Sequence, residues 1–381
     1  MVLPQIFRLE QELYTEGFYR EFEDALDKLN VGNKFVVVCG TSYTKKIAKE
    51  IIKNVRGYEF LPPIEVENPT ANAALKVQSA AEKENAPVLG IGGGKMDVAK
   101  KGASDAKKPA ILVCTQPTHD GIASPVVSIN GPKPYSVSVT PPVGVILPMD
   151  MMYKVPKEVA SQGVGDAIAK IFTAKLDWKL SAELKLEKQK DPPYNENVSE
   201  LCVKPTVKIF ENIEKMKEGR FSQEHPRYKQ FISDLVDALV NYGICMCTIG
   251  SSVCASGTEH LWAHGLTAKA KKYIPHGWAV GSGSIIAYEL FQRYRPEYCE
   301  ELPIKSDKLK DLIEYVGIPD KAKKLDITKE EAISAFIEAV KIGDERGRVT
   351  IFDYIRAPYR EPRIEIDEKF AEQYLTDIGF L

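Results

Sequence analysis

Short apolar runs rich in β-branched residues alternate with glycine-containing turns and helical stretches over the first 150 residues of the chain. The runs at 34–39, 87–91 and 109–114 have the length and composition of buried strands. A repeated order of strand, glycine turn, helix and strand is typical of a parallel α/β sheet, whose ligand-binding loops lie at the carboxyl ends of the strands. We therefore predict that residues 1–155 form a nucleotide-binding α/β domain with a Rossmann-like parallel sheet.

Helical periodicity dominates the rest of the chain. The predicted helical segments are 156–190, 205–217, 228–242, 258–270 and 282–293, with two more that begin near Asp307 and Thr328. The charged and turn-rich stretch 185–200 fits a surface loop. We predict that residues 156–381 form an all-α domain that binds a metal ion and the substrate.

Composition excludes several classes of partner. The 51 basic and 53 acidic residues give a formal charge of −2, so no global field attracts nucleic acid or an anionic membrane. The chain starts without a basic and apolar leader, and no stretch reaches the ~18 apolar residues of a membrane span. Seven scattered cysteines without a CxxC pair are typical of reduced core residues. We expect a cytoplasmic enzyme with a small-molecule partner, assembled as a homo-oligomer.

Three of the five histidines, His260, His264 and His276, fall within seventeen residues beside glycine-rich turns. Together with Asp166 in GVGDAIAK they offer imidazole and carboxylate ligands, a set suited to zinc or a similar divalent ion. Three protein ligands would leave one coordination position open for a substrate oxygen, which indicates catalysis. His260 and His264 are four residues apart on a predicted helix, so one of them could instead support the site or lie in the core.

The string GIGGGK, residues 90–95, follows a predicted strand and opens a predicted helix. Glycines let backbone N–H groups approach phosphate oxygens closely, and the amino end of the helix adds favourable partial positive charge. The string matches neither GxGxxG nor GxxxxGK[ST], although it keeps the mechanism that both motifs use. It therefore predicts a pyrophosphate site, with a plain strand-to-helix turn as the alternative.

The stretch THDGIASP, residues 118–125, follows the next predicted strand on the same side of the sheet. Thr118, His119, Asp120 and Ser124 offer hydroxyl, imidazole and carboxylate groups to a ligand. An ordinary Asp-Gly turn is the alternative explanation. Beside the glycine loop, the stretch favours a binding role.

Four ordered motifs resemble the archaeal sn-glycerol-1-phosphate dehydrogenases, which belong to the superfamily of glycerol dehydrogenases, iron-type alcohol dehydrogenases and dehydroquinate synthases. The motifs are GIGGGKMDVAK, PTHDGIASP, GVGDAIAKIFTAKLDWKL and SGTEHLWAHGL followed by HGWAVGSGS. The resemblance covers roughly residues 30–290, and ERGRVTIF at 345–352 is similar to a late arginine-containing segment of the family.

The resemblance implies a role for each residue of the site. Asp120 would hold a substrate hydroxyl, and His264 would be an imidazole near the site that relays a proton. The implied metal ligands are Asp166, His260 and His276. The implied cofactor-binding residues are Gly92, Gly93, Gly94, Asp97, Thr115 and Thr118. From the two loop motifs themselves we add Lys95 and Ser124 to this set.

Three positions depart from the family pattern. Val253 and Cys254 stand where the family has Arg-Pro, and Trp278 stands where a Gln or Glu commonly follows the second HG. A missing guanidinium removes one expected phosphate contact. Lys269, Lys271 and Lys272 could supply the charge instead, although such a run is typical of a solvated helix face.

The resemblance implies reduction of dihydroxyacetone phosphate to sn-glycerol 1-phosphate for archaeal ether lipids, with a divalent metal ion that polarises the ketone for hydride attack. The alternatives are a dehydrogenase of an unphosphorylated polyol, a dehydroquinate-synthase-like sugar phosphate cyclase, and a non-catalytic nucleotide-binding protein. Both NAD and NADP stay open, because residues 65–69 fit either a ribose-binding acid or a loop. We expect Zn²⁺, while the ligand set also tolerates iron or nickel.

Overall fold

A computed structural model describes residues 3–131, 135–357 and 364–381. The chain divides into two compact units. The first unit comprises Met1–Pro156 and Leu239–Gly250, and the second comprises Lys157–Ala238 and Ser251–Leu381. The division predicted from the sequence, at residue 155, puts residues 239–250 in the second domain, whereas the structure puts them in the first unit.

All the described strands lie in the first unit. They are β1 (Gln5–Leu9), β2 (Lys34–Gly40), β3 (Glu59–Phe60), β4 (Ile64–Val66), β5 (Val88–Gly92), β6 (Ala110–Cys114), β7 (Val126–Ile129), β8 (Tyr135–Ser138) and β9 (Gly144–Pro148). Seven of them form one sheet in the order β1–β9–β6–β5–β2–β3, with β4 beside β2, and every pair in it is parallel. Strands β7 and β8 form a separate antiparallel pair.

The order of the strands locates a ligand site. From β2 the chain passes to β3 and β4 on one side and then crosses to β5 on the other side of β2. Open α/β sheets bind ligands at such a switch point, outside the carboxyl ends of the strands. In this sheet that point lies at the loops after Gly40 and Gly92.

Helices accompany the strands of the first unit. They are α1 (Glu16–Leu29), α2 (Tyr43–Asn54), α3 (Ala71–Glu84), α4 (Met96–Asp105) and α5 (Met149–Tyr153). Helix α1 shows how the sequence forms them, since Thr15 caps its first turn and Asn30 ends it in a left-handed conformation. Its apolar face, which includes Phe18 and Phe22, is buried in a core shared with β2 and β5.

The described part of the second unit contains helices and no strand. Its helices are α6 (Lys157–Phe172), α7 (Trp178–Leu184), α8 (Glu196–Met216), α9 (Tyr228–Ile249), α10 (Thr258–Lys269), α11 (His276–Tyr294), α12 (Pro296–Glu300), α13 (Ser306–Val316), α14 (Ala322–Leu325), α15 (Lys329–Arg346), α16 (Ile351–Arg356) and α17 (Glu368–Asp377). The last residues of α9, from Leu239 on, belong to the first unit. The fold class predicted from the sequence is thus confirmed.

Two helices begin earlier than their periodicity indicates. Helix α8 starts at Glu196 and carries Pro205 in its interior, whereas the prediction started at that proline. Helix α11 starts at His276 instead of Ser282, because the glycines that obscured its apolar pattern pack against neighbouring backbone. A π-helical turn, Thr173–Asp177, joins α6 to α7.

Helix α9 meets the length and hydropathy of a membrane span, which the sequence pattern did not predict. However, 67% of its most apolar window is buried within the fold. A helix that is apolar on most sides and buried is equally typical of a protein core. Its composition therefore gives weak evidence for a membrane.

Glycines bring three helices of the second unit into backbone contact. A Cβ atom on Gly165 of α6 would lie 2.0 Å from the carbonyl oxygen of Gly277 in α11, and a Cβ on Gly277 would lie 1.9 Å from that of Gln162. A Cβ on Gly283 of α11 would lie 2.6 Å from the carbonyl oxygen of Glu259 in α10. Only glycine permits these approaches, so α6, α10 and α11 are held close together.

Candidate metal centre and cofactor loops

The three packed helices bring one carboxylate and two imidazoles together. Oδ1 of Asp166 lies 3.4 Å from Nε2 of His260 and 3.7 Å from Nε2 of His276. One ligand atom of each residue lies within 4.8 Å of the others. Donors bound tetrahedrally at about 2.1 Å from an ion stand about 3.4 Å apart, so the spacing fits a zinc-sized divalent ion.

Asp166 is paired with a buried lysine. Both Asp166 and Lys170 are fully buried, with Nζ 3.3 Å from Oδ1, and Nζ also donates to the carbonyl oxygen of Ala255 at 2.9 Å. Burial alone would raise the pKa of Asp166, but the charge of Lys170 and the two histidines hold it well below its usual range. The carboxylate is therefore ionised, as a metal ligand must be.

Glu259 supports the neighbouring ligand His260. Its Oε1 lies 2.9 Å from Nδ1 of His260 and accepts the amide of Gly257 at 2.8 Å and the hydroxyl of Thr173. Burial raises the pKa of Glu259, but the hydrogen bond and charge of His260 lower it overall. An ionised Glu259 keeps the proton on Nδ1 and leaves Nε2 to bind an ion. Sequence reasoning missed Glu259, although its place directly before a predicted ligand was a usable signal.

A second buried carboxylate lies behind Glu259. Asp177, at the end of the π-helical turn, accepts the amides of Thr258 at 2.7 Å and Ile351 at 2.9 Å. Burial and then the charge of Glu259 raise the pKa of Asp177 to about 7. The turn places Thr173 and Asp177 on one side of the chain, so both reach the start of α10. π-Helical turns occur frequently at functional sites.

His264 lies one turn after His260 and outside the three-residue cluster. Burial of its ring, followed by the positive charge of Arg346, holds its pKa well below the usual value. The ring is therefore neutral at neutral pH. A neutral imidazole can accept a proton at one nitrogen and donate from the other, as a relay requires.

In the first unit, the glycine loop connects β5 to α4. Among the described residues, none accepts a hydrogen bond from the backbone amides of Gly93, Gly94 or Lys95. Gly92 has a φ of +156°, a conformation that favours glycine. Three unused amides at the start of a helix suit the oxygens of a pyrophosphate.

Asp97, predicted near the pyrophosphate, has both carboxylate oxygens engaged by the protein. Oδ1 lies 3.0 Å from Nζ of Lys100, and Oδ2 accepts the amide of Ser128 at 2.7 Å. The fully buried Lys100 also donates to the carbonyl oxygens of Gly121 at 3.0 Å and Val126 at 2.9 Å. The pair thus ties the loop that contains THDGIASP to α4, a role for Lys100 that the sequence did not indicate.

Residues 118–125 face the glycine loop. A recess in this unit is lined by Gly92 and Gly93 of the glycine loop, by His119 and Gly121 of this segment, and by Gln116 just before it. Nδ1 of His119 accepts the amide of Gly121 at 2.9 Å, which shapes the turn. The structure thus brings together the two loops that the sequence predicted on the same side of the sheet.

The remaining predicted residues of this unit differ in exposure. Asp120 begins a short 3₁₀ turn and, like Thr118, is partly exposed. Thr115 is buried and its amide donates to the carbonyl oxygen of Gly92 at 3.0 Å. Ser124 is also buried, and its hydroxyl donates to the carbonyl oxygen of Val126 at 3.0 Å.

The loop after β2 is a part of the site that sequence reasoning missed. The hydroxyl of Thr44 accepts the amide of Gly40 at 2.8 Å, and a Cβ on Gly40 would lie 3.7 Å from Nζ of Lys95. The loop is therefore next to the glycine loop, at the switch point of the sheet. Glu65, considered as a ribose ligand, pairs with Lys45 at 2.6 Å.

The positions that depart from the family pattern lie in the second unit. Val253 and Cys254 are buried apolar residues. The indole nitrogen of Trp278 donates to the hydroxyl of Ser161 at 2.8 Å. Lys269 pairs with Glu338 at 3.0 Å and Lys272 with Asp326 at 2.7 Å, as expected for a solvated face.

The known proteins to which this chain is similar in sequence are dehydrogenases. Residues 14–156 match the family described as iron-containing alcohol dehydrogenase. A glycerol-1-phosphate dehydrogenase [NAD(P)+] of Saccharolobus islandicus (strain L.S.2.15 / Lassen #1) is 33% identical over 322 residues, which cover 84% of this chain and 85% of the relative. The enzyme of the same name from Metallosphaera sedula is 32% identical, over 90% of this chain and 91% of the relative.

Solved structures share the fold. A probable glycerol dehydrogenase from Sinorhizobium meliloti 1021 superposes with a TM-score of 0.74 at 16% sequence identity. The superposition covers 98% of this chain and 96% of the glycerol dehydrogenase chain. At this identity the likeness concerns the fold alone. The close match over nearly the whole length agrees with an α/β unit followed by a helical unit.

Proposed function

The chain belongs to the glycerol-1-phosphate dehydrogenase family of the iron-containing alcohol dehydrogenases, and from this we propose that it reduces dihydroxyacetone phosphate to sn-glycerol 1-phosphate with NADH or NADPH. The observation that carries the proposal is the cluster of Asp166, His260 and His276, with donor spacing suited to one divalent ion. Two relatives named glycerol-1-phosphate dehydrogenase [NAD(P)+] align over more than four fifths of the chain.

Asp166, His260 and His276 would hold the ion, and we propose Zn²⁺ because nitrogen and oxygen donors at tetrahedral spacing suit it. When bound, such an ion supplies Lewis-acid polarisation of a ketone oxygen. Lys170 compensates the buried charge of Asp166, and Glu259 orients the ring of His260. These contacts fix the donors before the ion arrives.

We assign the remaining roles to polar residues of the two units. Asp120 would hold a substrate hydroxyl, and the neutral His264 would relay a proton to the product hydroxyl. The unused amides of residues 93–95 would bind the pyrophosphate of the nicotinamide cofactor, which supplies the hydride. Asp97 would act through its ion pair with Lys100, and Thr115, Thr118 and Ser124 would shape the neighbouring wall.

The proposal also covers the localisation of the enzyme, its assembly and the use of its product. We propose a cytoplasmic homo-oligomer that supplies the glycerol phosphate backbone of ether lipids, in keeping with the archaeal relatives. Nothing in its charge balance favours nucleic acid.

A second candidate is a dehydrogenase of an unphosphorylated polyol. One observation favours it, since the buried Val253 and Cys254 stand where the family has Arg-Pro. Losing one charge-assisted contact to a phosphate costs ~1.5–3 kcal/mol, or roughly ten- to a hundred-fold in specificity. The loss would narrow a preference for the phosphorylated ketone without abolishing it.

The deciding experiment compares dihydroxyacetone phosphate with dihydroxyacetone, each with NADH and NADPH under the same metal conditions. We expect a higher kcat/KM for the phosphorylated ketone with at least one cofactor. Equal or better kcat/KM for dihydroxyacetone would reject the proposal in favour of the polyol dehydrogenase. Cofactor binding without turnover of any ketone would instead indicate a non-catalytic protein.

A further inference from the structure

Arg348, which follows the end of α15, has its guanidinium fully engaged. Nε lies 3.0 Å from Oδ2 of Asp191, Nη2 donates to the hydroxyl of Ser252 at 3.0 Å, and Nη1 donates to the carbonyl oxygen of Ser256. All three nitrogens are therefore used within the protein. Arg348 has a structural role and is not available to a ligand.

Arg346, the last residue of α15, differs from Arg348 in the contacts of its guanidinium. Its side chain is partly buried, yet none of the residues in the described ranges pairs with its guanidinium. Burial and the charge of Arg348 lower the pKa of Arg346 to about 10, against the smaller opposing effect of the charge of Glu345. A partly desolvated guanidinium that no described residue pairs with is costly, so it marks a place where an anion would be favourable.

Helix packing sets the end of α15, which Arg346 occupies, beside the helix that carries His260. Helices α10 and α15 are in close contact, since a Cβ on Gly265 would lie 2.1 Å from the carbonyl oxygen of Ala335. Further along, a Cβ on Gly343 would lie 3.1 Å from Cδ1 of Leu261. The end of α15 therefore lies beside the part of α10 that begins with His260. The charge of Arg346 also reaches His264 one turn later.

Other cations of this unit are less suited to a substrate phosphate. Lys170 is fully buried against Asp166. Lys269 and Lys272 pair with acids on the surface. A guanidinium can bind two phosphate oxygens at once, which an ammonium cannot do with the same geometry.

We propose that Arg346 binds the phosphate group of the substrate and thereby replaces the arginine that is absent at residues 253 and 254. This inference rests on the proposed function and deepens it by naming the residue that distinguishes a phosphorylated ketone from an unphosphorylated one. Arg346 would contact a non-reacting part of the substrate, so it would contribute mainly to binding.

The test uses the full-length metal-loaded enzyme and the variants Arg346→Met and Arg346→Lys. We expect Arg346→Met to lower kcat/KM for dihydroxyacetone phosphate by about ten- to a hundred-fold, mostly through KM. We expect a smaller loss for Arg346→Lys, which keeps the charge and is the milder change for folding. Activity with dihydroxyacetone and metal content should stay within about twofold, and inorganic phosphate should inhibit both variants less strongly.

Lys310→Met, which removes a surface charge of the same unit, is the matched control and should leave the substrate preference unchanged. Unchanged kcat/KM for dihydroxyacetone phosphate in both Arg346 variants would overturn the inference. An equal loss with both ketones in both variants would overturn it too, because it would indicate a structural role. If the unaltered enzyme itself shows no preference for the phosphorylated ketone, the proposed function fails first.

Discussion

Nδ1 of His260 lies 2.9 Å from Oε1 of Glu259, the residue that precedes it in the chain. The contact links a candidate metal ligand to a carboxylate that has no exposure to solvent. Carboxylates in this position fix the tautomer of a histidine ligand and raise its basicity. The carboxylate of Glu259 would therefore contribute to ion binding without touching the ion.

We expect Glu259→Gln to lower metal affinity by about ten- to a hundred-fold, because the neutral amide retains the shape but loses the charge that holds the imidazole. Competition with a chromogenic chelator measures the affinity directly. Glu338→Gln removes a carboxylate from the surface of the same unit and serves as the control. Equal metal affinities in the two variants would show that Glu259 has no role in the metal centre.

Replacing an exposed metal ligand should release the ion and change the stability of the metal-free fold only slightly. The His276 side chain is 40% exposed, whereas that of Asp166 is fully buried. We therefore expect His276→Ala to lose stoichiometric metal while its thermal midpoint, measured in excess chelator, stays near that of the metal-free parent. His264→Ala should retain the ion, since His264 is outside the cluster. Full metal content in His276→Ala by elemental analysis would contradict the assignment.

Two glycines near the end of β5 should respond differently to valine. A Cβ on Gly93 would meet only Oε1 of Gln116, at 3.7 Å, whereas a Cβ on Gly90 would lie 2.7 Å from Cβ of Ala99. We expect Gly93→Val to weaken NAD(P)H binding by roughly ten-fold or more with unchanged stability, because it obstructs only a ligand. Gly90→Val should cost about 1–3 kcal/mol in stability. Cofactor titration and urea unfolding of both variants separate the two effects. Unaltered cofactor affinity in Gly93→Val would make the loop a structural turn.

Asp177 should couple stability to pH. Its pKa is raised from 3.8 to about 7 in the folded chain, so folding takes up a proton between these values. The contribution of Asp177 is therefore fully present below about pH 4 and is lost as the pH rises towards about 7, with a slope of at most about 1.4 kcal/mol per pH unit. Asp177→Asn cannot titrate and should flatten this slope in urea unfolding at pH 5 to about 8. Identical slopes in the two proteins would show that Asp177 stays ionised throughout.

Local patterns are sufficient to predict the centre of the sheet and the cluster of candidate metal ligands. Parallel strands buried on both faces require continuous apolar runs, and such runs identify β2, β5 and β6 in the sequence. The three ligands come from separate helices, yet imidazoles are rare enough in this chain that their clustering is visible. The roles of the individual residues stay predictions until the variants are measured.

The rest depends on partners distant in sequence. Lys100 resembles any helical lysine until the fold brings the carbonyl oxygens of Gly121 and Val126 to it. The loop after β2 becomes part of a ligand site only because β5 crosses back beside that strand. Helix α11 is longer than its periodicity predicts because its glycines contact backbone instead of contributing apolar side chains. Periodicity records side chains and does not reveal such contacts.

The glycine contacts among α6, α10 and α11 also bear on which ions the centre selects. A layer of side chains can adjust by changing rotamers, but helices that touch through backbone atoms, as at Gly165 and Gly277, have little freedom to move apart. The backbones that carry the donor atoms of Asp166, His260 and His276 are therefore held at nearly constant separations. Ca²⁺ requires oxygen ligands at about 2.3–2.6 Å. It also requires more ligands, and at a longer distance, than these three residues offer. At such a centre, selection by ionic radius would thus be determined in part by glycines that carry no donor atom.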